Sequence, residues 1–143
     1  MKTNRSRSQR AFTLLEILLV VVIIGMLVSV AVVKLSGQSQ RAKLVATQRQ
    51  IDAYKTALGV YELDNGLFPS SEQGLQALIT QPAGGTLPNW KGPYLDPPVV
   101  RPDPWGHNYV YRYPGQKITN GYDLFSPGPN GIEGDEDDIG NWQ

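Results

Sequence analysis

Residues 126 to 138, SPGPNGIEGDEDD, crowd oxygen donors into a stretch of turn-forming residues. Asp135, Glu136, Asp137 and Asp138 follow one another, and such a row repels itself unless something positive sits among its members. Hard cations such as Ca2+ take about six to eight oxygens from carboxylates, carbonyls and hydroxyls, so the chemistry on offer is cation binding. A solvated acidic loop is the plain alternative. The EF-hand pattern is not met, because Ser126 and Gly128 stand where it needs acids. A second chemical oddity is Glu16, at the head of the uncharged run Ile17–Val33. A carboxylate in hydrocarbon costs about 2.5–3.5 kcal/mol, so Glu16 needs a positive group to meet. His107 is the one histidine and there is no cysteine, which leaves no zinc set and no imidazole–thiol pair. It reads as an exposed residue in the turn after Gly106. Glu62 and Asp64 are ordinary for a helix end. GQKITNG (115–121) reads as a hairpin turn, since it lacks the glycine–lysine frame of a phosphate loop. Nothing here forms a catalytic set, and the chain reads as no enzyme.

The elements that must position these residues come next. With 143 residues there is room for one domain and no second large core. The net charge is zero but unevenly spread. Lys2, Arg5, Arg7 and Arg10 precede residue 12 without an acid, while Asp123 to Gln143 holds six acids and no Lys or Arg. The basic start suits the cytoplasmic flank of a membrane segment better than nucleic acid. Phe12 to Val33 is long enough to cross about 30 Å of hydrocarbon. A secretory signal has a shorter apolar region, of about 7–15 residues, and does not open with an acid, although SVAVVKLSGQ offers a weak cleavage site. A plain anchor accounts for the length and the flank but leaves Glu16 unexplained.

Beyond Lys34 apolar residues recur at Leu44, Ile51, Tyr54, Leu58 and Tyr61, which predicts that the helix continues with one packed face. Too few repeats follow the heptad pattern for a coiled coil. Asn65-Gly66 is a helix stop. The whole helix, from about Phe12 to Asp64, is expected to be roughly 80 Å long, with Gly25 as its soft spot. SSEQGLQALI (70–79) predicts a second, short helix, entered through a capping box of Ser70 and Gln73. Residues 81 to 106 form a loop pinned by Trp90, Tyr94, Leu95 and Trp105. NYVYRY (108–113) and GYDLFS (121–126) predict strands, with a third near Tyr94 or in the tail. The fold class is α+β: a long helix packed on a small antiparallel sheet, with a loop-rich C-terminal region.

Ala11-Phe12-Thr13-Leu14-Leu15-Glu16, after a basic leader and before a long apolar run, resembles the processing site of type IV pilin-like proteins. The soluble half narrows this. SSEQGLQALI, WKGPYLD (90–96), DPWG (103–106) and YDLFSPGPNGIEGDEDDIGNW (122–142) resemble the major pseudopilins of the type II secretion system. The resemblance implies a type IV pilin-like fold. A prepilin peptidase would cut between Ala11 and Phe12 and the new N-terminus of Phe12 would be methylated. Residues 1–11 would then be leader, 12–34 transmembrane and filament-core helix, and 35–143 the periplasmic domain. It implies a single-pass protein of the bacterial inner membrane, a structural subunit of a periplasmic filament that drives export of folded proteins across the outer membrane. Its implied partners are itself, minor pseudopilins, the inner-membrane assembly platform and the peptidase. Glu16 would face the positive N-terminus of a neighbouring subunit. A calcium site is implied in the tail, with Leu124 giving a backbone oxygen and Ser126, Asp135, Asp137 and Asp138 side-chain oxygens. Three departures stand out: Ala11 where relatives usually have Gly, Val33 where they often have Pro, and Asn130 where many have Asp. A type IV pilin or a minor pseudopilin is the neighbouring alternative, and the absence of cysteine weighs against the pilin. A membrane-anchored periplasmic binding module that never polymerises is the alternative of another class.

Overall fold

The computed structural model describes residues 13–83 and 87–143, and of residues 30–36 the backbone alone. The leader, Ala11 and Phe12 lie outside the described residues, as do Gly84 and Gly85. Helix α1 runs Leu14–Asn65. A 3-10 turn follows at Gly74–Leu78. The strands are β1 (Val110–Arg112), β2 (Asp123–Ser126) and β3 (Ile139–Gly140), in the antiparallel order β1-β2-β3. Val110 pairs with Phe125 and Arg112 with Asp123, while Ser126 pairs with Ile139. This is the expected α+β design, with the third strand in the tail. The chain divides into two compact units between Gln40 and Arg41.

In the first unit α1 continues through Gly25 without interruption. Its large aliphatic side chains from Leu14 to Val28 are all exposed, from 47% to 86%. Among the described residues no helix is long and apolar enough to cross a membrane.

In the second unit the core forms because one stripe of α1 is apolar at helical spacing. Ile51, Tyr54, Leu58 and Tyr61 are fully buried. They meet Leu75 and Leu78, the β1 flank through Tyr109 and Tyr111, and Leu124 and Ile139. Tyr54 and Tyr109 pack edge to face at 5.3 Å, and the Tyr54 hydroxyl accepts the Arg101 N–H at 3.1 Å. The predicted anchors Trp90, Tyr94, Leu95 and Trp105 do pack against this core. Leu44 does not: it is 44% exposed, and Thr47 takes the buried position four residues before Ile51. The buried stripe of α1 therefore begins at Thr47.

The helix ends as read. Gly66 takes φ 78°, a left-handed conformation that glycine adopts without strain. The expected helix at 70–79 is instead only the 3-10 turn. Its capping box exists, with Ser70 N donating to Gln73 Oε1 at 2.9 Å and Gln73 N to Ser70 Oγ at 3.3 Å. Gly74, however, sits at φ 56°, outside the right-handed region, so a regular α-helix cannot pass through it.

Candidate functional site

Two places carry the sequence's chemistry, one in each unit. At the start of α1, Thr13 is the cap. Its Oγ1 and its carbonyl both accept the Glu16 N–H, at 3.2 and 3.0 Å. Thr13-x-x-Glu16 is the spacing of a capping box, so part of what that stretch does is start the helix. An acid in the first turn also suits the positive end of the helix dipole. The Glu16 side chain is exposed.

The acidic loop leaves β2 at Ser126 and returns at Ile139. Its turns are built from its own carboxylates. Asp135 Oδ1 accepts Asp137 N at 2.9 Å, and its Oδ2 accepts the Asn130 amide at 2.7 Å. Asp138 Oδ2 accepts Gly134 N at 2.9 Å. Asp138 is buried, and its other oxygen, Oδ1, has no hydrogen-bond partner. A buried carboxylate oxygen without a partner is costly, and a cation is one remedy. Three of the other expected ligands already have partners of their own. Asp135 is half-buried and Asp137 exposed. Ser126 Oγ donates to Asp103 Oδ2 at 2.5 Å, and the Leu124 carbonyl accepts Asn141 N at 3.0 Å. Among the described residues no three carboxylates or imidazoles gather at metal-binding range.

Two buried acids that sequence reasoning passed over organise this end of the fold. Asp103 accepts Trp105 N at 3.0 Å and His107 N at 2.8 Å through Oδ1. An aspartate opening DPWG is the usual signal for such a turn, and it was there to be read. Asp123 accepts Gln116 N and Lys117 N through Oδ2, and Ile118 N through Oδ1, all within 2.7–2.9 Å. Burial pushes its carboxyl up. The three amides, with Arg112 nearby, outweigh that and hold it below the usual carboxylate range. This acid fixes the 115–121 turn expected from the sequence. His107 is not the exposed turn residue its context suggested. Its Nδ1 lies 2.9 Å from the Gly128 carbonyl, and its ring fills the space that a Cβ on Gly131 would need. The histidine thus pins the root of the acidic loop to the DPWG turn.

Residues 34–142 match the family described as Type II secretion system (T2SS), protein G. Residues 6–32 match the prokaryotic N-terminal methylation motif. The chain belongs to the type II secretion protein G family. Type II secretion system core protein G of Pseudomonas aeruginosa is 44% identical over 141 residues, spanning 95% of this chain and 96% of that protein. The Vibrio cholerae core protein G is 42% identical over 143 residues, spanning 97% and 95%. The crystal structure of the major pseudopilin from the type 2 secretion system of enterohaemorrhagic Escherichia coli superposes with a TM-score of 0.64. It is 38% identical, and the match covers 76% of this chain and 93% of that one. The fold is the type IV pilin-like fold. The function is that of a type II secretion core protein, a major pseudopilin.

Proposed function

We propose that this member of the protein G family is a non-enzymatic filament subunit anchored by a single pass in the bacterial inner membrane, with its folded unit in the periplasm. A prepilin peptidase cuts between Ala11 and Phe12, and Phe12 is methylated at its new amine. The subunit assembles with itself and with minor pseudopilins on an inner-membrane platform, and the filament drives export of folded proteins across the outer membrane. The observation that carries this is the first half of α1. Its aliphatic side chains from Leu14 to Val28 are exposed on every side. A helix apolar all round is made for burial in lipid or among other helices. Burying each such side chain is worth about 1.5–3 kcal/mol. Glu16 would be a severe cost in those surroundings unless a neighbour's amine met it. Such a buried ion pair adds little stability but sets register. Glu16→Ala should therefore abolish filaments seen by electron microscopy while the chain still fractionates with membranes. Filaments of normal yield from this variant would reject the proposal, and they are what a non-polymerising anchored module predicts.

We also propose a calcium ion in the acidic loop. The unpartnered Asp138 Oδ1 and the all-oxygen donor set suit a hard cation. Asp138, Asp135 and Asp137 would supply carboxylates, Ser126 its hydroxyl, and Leu124 its carbonyl, whose oxygen carries a second lone pair beside the one bonded to Asn141. The ion would neutralise the loop and hold it against β2 and β3. Treatment with EDTA should lower the melting temperature of the folded unit, and re-added calcium should restore it. An unchanged melting curve would eliminate the site.

A further inference from the structure

The folded unit carries an exposed stripe along α1 that the core does not use. Ala53, Thr56, Val60 and Leu63 recur at steps of three and four, so they share one helix face, and Leu67 follows just past the helix end. All five are exposed. The stripe changes character midway. Over Ala53 and Thr56 the segment Leu95 to Arg101 stands beside the helix and encloses a groove of about 470 Å³. Leu95, Pro97 and Val99 give its wall an apolar part, and Asp96 and Arg101 a polar part of similar extent. Further along, Val60 is 44% exposed, Leu67 50% and Leu63 86%. One end of the face is a hollow and the other a knob.

The charges around them match. Glu62 is exposed beside the knob. Lys91, with 72% of its side chain exposed, reaches Asp64 there at 2.9 Å. The groove offers a cation, Arg101, and an anion, Asp96. The groove thus presents one charge of either sign, and the knob presents Glu62, unpaired among the described residues, beside the Lys91–Asp64 pair. Glu62 can meet Arg101, and the exposed Lys91 can share its charge between Asp64 and the neighbour's Asp96.

We propose that the Leu63 knob of one copy seats in the groove between α1 and Leu95–Arg101 of the next copy. An aliphatic patch left in solvent on a folded domain marks a contact surface. Two unlike, complementary patches on one chain make a head-to-tail contact, and one that does not close into a ring runs on as a filament. The inference rests on the filament reading above and adds which faces of the folded units meet.

The chain has no cysteine, so introduced thiols report on neighbours without background. Filaments of the full chain would be oxidised mildly and run under non-reducing conditions. The double variant Leu63→Cys, Val99→Cys should give a ladder of dimers, trimers and longer species. The two single variants mixed should give dimers only, and each alone should give none. Leu63→Cys pairing with itself would indicate a two-fold contact and overturn the proposal. Native-like filaments of the double variant without crosslinks would overturn it as well. A native chain that forms no filaments would instead remove the filament reading itself, and this inference with it. Glu62→Arg and Arg101→Glu should each cut filament yield by roughly tenfold, and the two together should restore it. Failure of the pair to restore yield would refute the docking as drawn.

Discussion

From Leu14 to Val28, α1 turns apolar side chains in every direction, and all its large ones stay 47–86% exposed. From Thr47 to Tyr61 it turns one stripe inward, at steps of four, three, four and three, and every member is fully buried. Both stretches belong to one continuous helix. The difference is therefore not secondary structure but the partner each half was built to meet. The second half finds its partner within the chain, in the sheet and the pinned loop. The first half has to find its partner outside it. A substitution in the inward stripe of the second half should act on the fold, and the same substitution in the first half on assembly.

The sharpest way to break this contrast is one leucine truncated in each half. Leu58 is fully buried against the core. Leu58→Ala should cost about 2–5 kcal/mol, from lost burial plus the cavity left behind. Leu19 is 59% exposed. Leu19→Ala should move the unfolding midpoint of the chain in detergent by less than about 0.5 kcal/mol, yet lower filament yield. Equal destabilisation by the two would mean that the first half also packs within the chain.

A smaller effect sharpens the picture of the second unit. Asp123 is buried, and its carboxyl is held low by three amides and Arg112 despite its burial. A depressed folded value means that its contribution is complete above the unfolded carboxylate range, near pH 4, and is lost as pH falls through the folded value. Asp123→Asn should cost roughly 1–3 kcal/mol at neutral pH. It should also flatten the fall in melting temperature on the acid side. A variant with the native acid slope would show that another group controls it.

How far these features could be read from residues alone depends on how local their causes are. The buried stripe from Ile51 to Tyr61, the stop at Gly66 and the capping box at Ser70 rest on neighbours within a few positions, and all were legible. Leu44 was read as packed because periodicity says which way a side chain points, not how far the opposing layer extends. The helix expected at 70–79 shrank to a 3-10 turn because Gly74 adopts a conformation that its residue type only permits. Asp103 and Asp123 were missed as organising acids, since each serves amides that the fold brings within reach. The acidic tail was legible as a cluster of oxygens. That Asp138 alone among them would be buried with a free oxygen depends on where β3 begins. The N-terminal methylation motif was legible because it is contiguous, and residues 6–32 match that family.

The mildest test concerns a residue that spoils the second half of α1. Gly59 sits inside the helix between Leu58 and Val60, and a Cβ built on it meets nothing within 4 Å. Its backbone is not left-handed, so no turn requires glycine there. In an isolated protomer Gly59→Ala should therefore raise stability by about 1 kcal/mol, through helix propensity and a less flexible unfolded chain. Gly25 also has open space around it, but it lies in the half without internal packing. Gly25→Ala should leave the melting of the folded unit unchanged. If Gly59→Ala stabilises the protomer and still lowers filament yield, the glycine serves a neighbour's close approach beside the exposed face of Val60 and Leu63. If filament yield is unaffected, Gly59 lies outside the assembly contacts and its effect is on the protomer alone.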